Sequence, residues 1–186
     1  MKKIWKGTII VLIFVLFTAC SGDPADRLIT KNGVGKLTFE QAIPDMGKGY
    51  YTTDLAYDDG YEYYEVKDKT GKLVANAYGG SSIEVFSPKF KTEAGIYPGM
   101  NLHKAAEISG EKNLFIWIRW PEDRFTIADA TTEFAWHVDS SYFIPGKEKF
   151  DEIMESGKWS DLTLSDFKPD AVIRSITVFF SYDDED

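Results

Sequence analysis

The chain has 186 residues, 44% of them hydrophobic, with 30 acidic against 21 basic side chains and a formal net charge of −9 at pH 7. Three of the basic residues, Lys2, Lys3 and Lys6, lie in the first twenty positions, which hold no acid, so positions 21–186 carry 18 basic and 30 acidic side chains, a net charge of −12. That balance argues against nucleic acid and anionic lipid as direct ligands, because both are recognised through basic surface; the length allows one domain with a real core, and a single cysteine leaves stability to packing rather than to disulfides.

In chain order, the three lysines are followed by the apolar stretch Ile9 to Phe17 and then by Leu16-Phe17-Thr18-Ala19-Cys20-Ser21. A basic start, an apolar stretch well short of the about 20 residues that span a membrane, and small residues before a cut describe a secretory signal. The segment resembles the lipobox of bacterial lipoproteins, whose cysteine is acylated and becomes the mature N-terminus; it departs from that pattern in carrying Phe17 where Leu usually stands three residues before the cysteine. Cys20 has no disulfide partner within the chain, and lipid attachment gives it a role. The resemblance implies an exported domain held to a bilayer by palmitate-type acyl chains, each buried methylene adding about 0.8 kcal/mol. Because Ser21 rather than Asp follows the cysteine, it also implies the outer membrane of the cell envelope. The plainer alternative is a secretory signal or an uncleaved anchor in which Cys20 plays no part. The resulting organisation is a signal peptide over 1–20, a linker over 21–27, one domain over 28–182 and the acidic tail Asp183-Asp184-Glu185-Asp186 over 183–186.

Thr38-Phe39-Glu40-Gln41 fits a capping box, opening a helix that Pro44 limits to a couple of turns. Period-2 patterns then dominate. Tyr51, Thr53, Leu55 and Tyr57 share one face of a strand; Asp58-Asp59-Gly60 turns into a second strand over 61–66; Asp68-Lys69-Thr70-Gly71 turns into a third over 72–78; Gly79-Gly80 precedes a fourth over 82–86. This is the spacing of an antiparallel meander. Asn101 and Gly110 bracket a helix with Leu102, Ala105 and Ala106 on one face. Leu114 to Trp120 is apolar on both faces, which predicts a central strand buried twice. Phe134, Trp136 and Val138 alternate with Ala135 and His137. Pro145-Gly146 opens a helix with Phe150, Ile153 and Met154 at helical spacing and Gly157 as its stop. Val172, Ile176, Val178 and Phe180 give a last strand. The class is α+β, a mostly antiparallel sheet of about seven short strands with two or three short helices.

Two stretches look alike. Asn32-Gly33-Val34-Gly35-Lys36-Leu37-Thr38-Phe39-Glu40-Gln41-Ala42 can be laid against Ala94-Gly95-Ile96-Tyr97-Pro98-Gly99-Met100-Asn101-Leu102-His103-Lys104-Ala105, with a different gap between the glycines, each a glycine-permitted turn leading into a capped helix. Similar strand-to-helix turns recur without duplication, so a true repeat is one of two readings. The positions Ile29, Thr30, Gly33, Val34, Gly35 and Leu37, then Ser87, Pro88, Thr92, Gly95, Ile96, Gly99 and Met100, resemble those of small bacterial envelope lipoproteins of unknown function, one branch of which is described as sigma-E-regulated and outer-membrane. The likeness covers about a third of the chain, rests on turn residues, and implies a periplasm-facing lipoprotein without carrying over a catalytic residue. The Gly-Ile-x-x-Gly-Met run of Gly95 to Met100 before a helix is similar also to envelope-assembly and inhibitor modules with small α+β folds.

Chemistry-bearing motifs are few. The only histidines are His103 and His137; there is no HExxH, no paired cysteine and no Gly-x-Ser-x-Gly, so no metal or cofactor is expected. Asp54, Asp58, Asp59 and Glu62 crowd a turn without the spacing of a calcium loop. Gly79-Gly80-Ser81-Ser82 lacks the lysine of a phosphate loop. His137, with Glu133 and Asp139 near it, sits on a strand face that reads first as solvated and second as the site of a hydrolase or carbohydrate-active module. The aromatic hairpin is the stronger lead: Tyr57, Tyr61, Tyr63 and Tyr64 offer apolar area and hydroxyls together, which suits a contact with an envelope protein or a glycan, against the alternative of cross-strand packing within the sheet. The reading is a lipid-tethered binding module that is not an enzyme, with the bilayer as partner through its acyl chains and no nucleic acid.

Overall fold

The computed structural model describes residues 24–39, 49–58, 61–79, 81–110, 114–119, 124–129, 134–157 and 162–180. Pro24–Arg27, within the expected linker, form a single 3-10 turn. A small sheet follows from Leu28–Thr30 (β1), Gly33–Val34 (β2), Leu37–Thr38 (β3) and Lys91–Thr92 (β8), in the order β3-β2-β1-β8. β8 runs parallel to β1, and the β1–β2 and β2–β3 pairs are antiparallel. The β2–β3 hairpin depends on glycine twice. Gly33 has φ +146° and Gly35 φ +58°, and a Cβ on either would collide with backbone, the Leu37 carbonyl in one case and the Asp26 carbonyl in the other.

The main sheet contains Tyr51–Asp58 (β4), Tyr61–Asp68 (β5), Leu73–Tyr78 (β6), Ser82–Val85 (β7), Leu114–Arg119 (β9), Arg124–Asp129 (β10), Phe134–Asp139 (β11) and Ser175–Phe179 (β12). Its order is β4-β5-β6-β7-β12-β11-β10-β9, every neighbouring pair antiparallel. The meander from β4 to β7 lies where turn residues and alternation put it. The class is α+β with mostly antiparallel sheets and two α-helices, but the described residues hold twelve strands in two sheets instead of about seven in one. The additions are the two- and three-residue strands of the small sheet and β10, whose ends are charged.

β9 corrects a second expectation. It lies at the edge of the sheet, with Phe115 57% and Trp117 36% exposed, so apolar residues on both of its faces did not mean burial on both. The central positions belong to β7 and β12. The expected helix after Thr38 falls on residues 40–48, outside the described residues, and Thr38 itself ends β3. Of the two look-alike segments, the described part of the first forms a β-hairpin and the second leads into a helix.

That helix, Leu102–Ser109 (α1), is bracketed as read. Asn101 Oδ1 accepts from the Lys104 amide at 3.0 Å, and Gly110 ends the helix at φ +68°. Gly146–Ser156 (α2) stops at Gly157, φ +66°, and buries Phe150 and Ile153. The core lies between one face of the main sheet and these elements. Phe125 of β10 is its aromatic centre, with ring centroids 4.9, 5.3 and 4.9 Å from Phe143, Phe150 and Phe167. Ile83, Val85, Ile127, Ile176 and Val178 complete that face of the sheet, all with no exposure.

Candidate functional site

Strand alternation sends the intervening residues to the other face. In β7, Glu84 lies between Ile83 and Val85; in β12, Ser175 and Thr177 flank Ile176; in β11, His137 lies between Trp136 and Val138; in β10, Arg124 and Thr126 flank Phe125. The register brings them together: Thr177 opposes Glu84, His137 opposes both Ser175 and Thr126, and Asn76 of β6 opposes Glu84 from the other side. Glu84, Arg124, Thr126, His137, Ser175 and Thr177 are each no more than 2% exposed.

A bidentate ion pair anchors the group. Arg124 Nη1 donates to Glu84 Oε1, and Arg124 Nη2 donates to Oε2 at 3.3 Å. Ser175 Oγ donates to Oε1 at 2.5 Å and the Tyr78 hydroxyl donates to Oε2 at 3.4 Å. β12 and β11 separate β7 from β10, about 14 Å along a flat sheet. The pair therefore joins strands that are not neighbours in the sheet. Beside the pair, His137 is held between two hydroxyls, Nδ1 3.1 Å from Thr126 Oγ1 and Nε2 2.7 Å from Thr177 Oγ1. Burial alone would push the Glu84 carboxyl up. The Arg124 hydrogen bond, the fields of His137 and Arg124, and the Ser175 hydroxyl outweigh it and hold the carboxyl below the usual range. Asn76 Oδ1, next to Glu84 in register, is a buried acceptor that finds no hydrogen-bond partner among the described residues.

A nucleophilic hydroxyl needs a base within reach and room for a reacting atom near both. Ser175 gives its proton to Glu84 rather than to His137. The hydroxyls that do touch the imidazole, those of Thr126 and Thr177, are 2% and 1% exposed, and His137 is 0% exposed. The strand face around His137 is therefore not solvated, contrary to the sequence expectation. Glu133 lies outside the described residues, and Asp139 accepts from Arg174 at 2.9 Å. His103, second in α1, has Nε2 3.1 Å from the Lys168 carbonyl. Among the described residues, no three His, Cys, Asp or Glu side chains gather as metal ligands would.

The aromatic hairpin is split by the same alternation. Tyr57 opposes Glu62 and Tyr64 opposes Leu55, on the face that carries Val66 into the core. Burial falls off toward the tip: Val66 has no exposure, Leu55 is 46% exposed and Tyr57 64%. Tyr63, opposite Ala56, lies on the polar face, and its ring centroid is 5.5 Å from that of Tyr78. Tyr61 opposes Asp58 where the two strands meet. We expect Tyr57→Ala to change stability by less than about 0.5 kcal/mol. Tyr63→Ala should cost about 1 kcal/mol through the lost aromatic pair. Urea unfolding of the two variants checks the difference.

Cys20 lies outside the described residues. The pair that organises the polar face, Glu84 and Arg124, does not stand out in the sequence. The available signal was an acid set between Ile83 and Val85 in a strand, which demands a buried partner.

No family model matches this chain, and neither does any curated protein. Among solved structures it is similar to the crystal structure of the uncharacterized protein yfeY from Escherichia coli, with a TM-score of 0.53 and 12% sequence identity, over 81% of this chain and 98% of that one. At that identity the likeness concerns the fold.

Proposed function

We propose that the chain is a lipoprotein of the bacterial envelope, tethered to the outer membrane through acylated Cys20, and that its domain is a binding module rather than an enzyme. The observation that carries this reading is the sequence order of basic start, short apolar stretch and sole cysteine before the domain. No helix among the described residues is long and apolar enough to cross a membrane, so on this reading acyl chains do the anchoring. The first strand starts at Leu28, eight positions after Cys20, which keeps the domain close to its anchor. The non-enzymatic part rests on the buried polar network, whose two hydroxyl–imidazole contacts lie away from solvent.

The partner is an envelope protein or a glycan, and the exposed part of the β4–β5 pair around Leu55 and Tyr57 is the contact surface on this reading. In-cell crosslinking from a photoreactive residue at position 57, with mass spectrometry of the adducts, tests the contact. Recovery of one reproducible envelope component supports it, and adducts no different from those of a probe at Glu148 of α2 count against it.

A further inference from the structure

The net charge of −12 over positions 21–186 conceals a local excess of the opposite sign at the root of the tether. Lys91 lies directly opposite Leu28 in the parallel β1–β8 pair, one residue past Arg27. Lys36 pairs with Asp26 at 2.8 Å and holds its ammonium 4.8 Å from the centre of the Tyr50 ring. Lys69 stands over the same ring at 5.7 Å. Lys89 reaches Asp68 at 3.5 Å, Asp68 is the register partner of Tyr51, and Lys91 lies 5.1 Å from the Tyr97 ring. Among the described residues, five cations, Arg27, Lys36, Lys69, Lys89 and Lys91, thus gather here with two paired acids, Asp26 and Asp68. Tyr50 is 48% exposed between two of the lysines.

We propose that this face, Tyr50 with Lys36, Lys69, Lys89 and Lys91, docks the domain on an anionic phospholipid surface. The proposal rests on acylation of Cys20, because the tether is what selects the occupant. From Cys20 to Pro24, where the 3-10 turn begins, four residues span at most about 14 Å. The face next to that turn is therefore the one brought against the headgroups. Lysines with apolar stems and a tyrosine with an apolar ring and polar tip are the side chains that settle at that depth. An anionic surface attracts the local cations while repelling the acidic remainder, so charge sets the orientation within a Debye length of the surface.

The test uses the native protein taken from membranes, reconstituted into vesicles of phosphatidylcholine alone or of equal parts phosphatidylcholine and phosphatidylglycerol. Flotation reports the tether; mass-spectrometric footprinting with an amine reagent reports docking. In the phosphatidylglycerol vesicles Lys36, Lys69, Lys89 and Lys91 should react several-fold more slowly than in phosphatidylcholine. Lys147 and Lys149, on α2 beneath β10 in the other half of the sheet, should be unchanged, and molar salt should erase the difference. Flotation with equal labelling of all six lysines in both vesicles would overturn docking and leave the tether standing. Failure to float would overturn both.

Discussion

Replacing Arg124 with methionine should destabilise the protein by about 3–5 kcal/mol, because it strands the Glu84 carboxylate in a site that is 1% exposed. In a domain of this size that lowers the unfolding midpoint by roughly 10 °C. Arg124→Lys keeps the charge but cannot span both carboxylate oxygens as the guanidinium does, so a substantial part of the loss should persist. Joining Arg124→Met to Glu84→Gln removes the orphaned charge and should recover much of the stability, since the attraction within a buried pair mainly offsets the desolvation of its members. The pair also fixes a pH dependence. The Glu84 carboxyl titrates below its ordinary range in the fold. Its contribution is therefore complete above the unfolded-state pKa of about 4.3 and is lost as the pH falls through the lower folded value. Urea unfolding at pH 7 and pH 3 should show the gap between native protein and Arg124→Met narrowing in acid. A cost under about 1 kcal/mol at pH 7 would mean that water reaches the pair.

That pair marks where sequence reading runs out. The meander β4–β7 was legible because each strand carries its own alternation and each connection its own turn residues, as in Asp68-Lys69-Thr70-Gly71. There, Asp68 Oδ1 accepts from the Thr70 amide at 2.9 Å and from the Lys72 amide at 3.2 Å. The helices were legible through local signals too, Asn101 and Gly110 for α1 and Gly157 for α2. The small sheet was not, since two residues such as Gly33–Val34 or Lys91–Thr92 have no period and become strands only when distant backbone pairs with them. β9 misled for a related reason: an apolar residue on both faces records what a strand is made of, not how many neighbours it has. The polar network is the extreme case. Glu84 and Arg124 are forty positions apart, as are His137 and Thr177, and no spacing rule connects them. Only the register of four strands places six polar side chains on one buried face. Within each strand the same alternation that made the core visible hid them as its solvent side.

Cys20→Ala should move the whole domain from the membrane to the soluble fraction of cells. On the lipoprotein reading the variant loses every acyl chain at once. A single chain gives marginal binding and several together a stable anchor, at about 0.8 kcal/mol per buried methylene. What remains is weak. The cations around Tyr50 contribute about 1 kcal/mol each only next to an anionic surface. They do so against the net −12 of positions 21–186, and screening at physiological salt confines the attraction to about 8 Å. Fractionation should therefore be close to all-or-none, and the native N-terminal peptide should carry the mass of its acyl groups where that of the variant carries none. The two measurements separate the alternatives. A variant that stays on the membrane after losing its first nineteen residues would show that the domain itself, not the sulfur of Cys20, holds to the bilayer. Retention with those residues still attached would assign the anchor to the apolar stretch Ile9 to Phe17, and its short length would then require it to lie in the interface rather than to span.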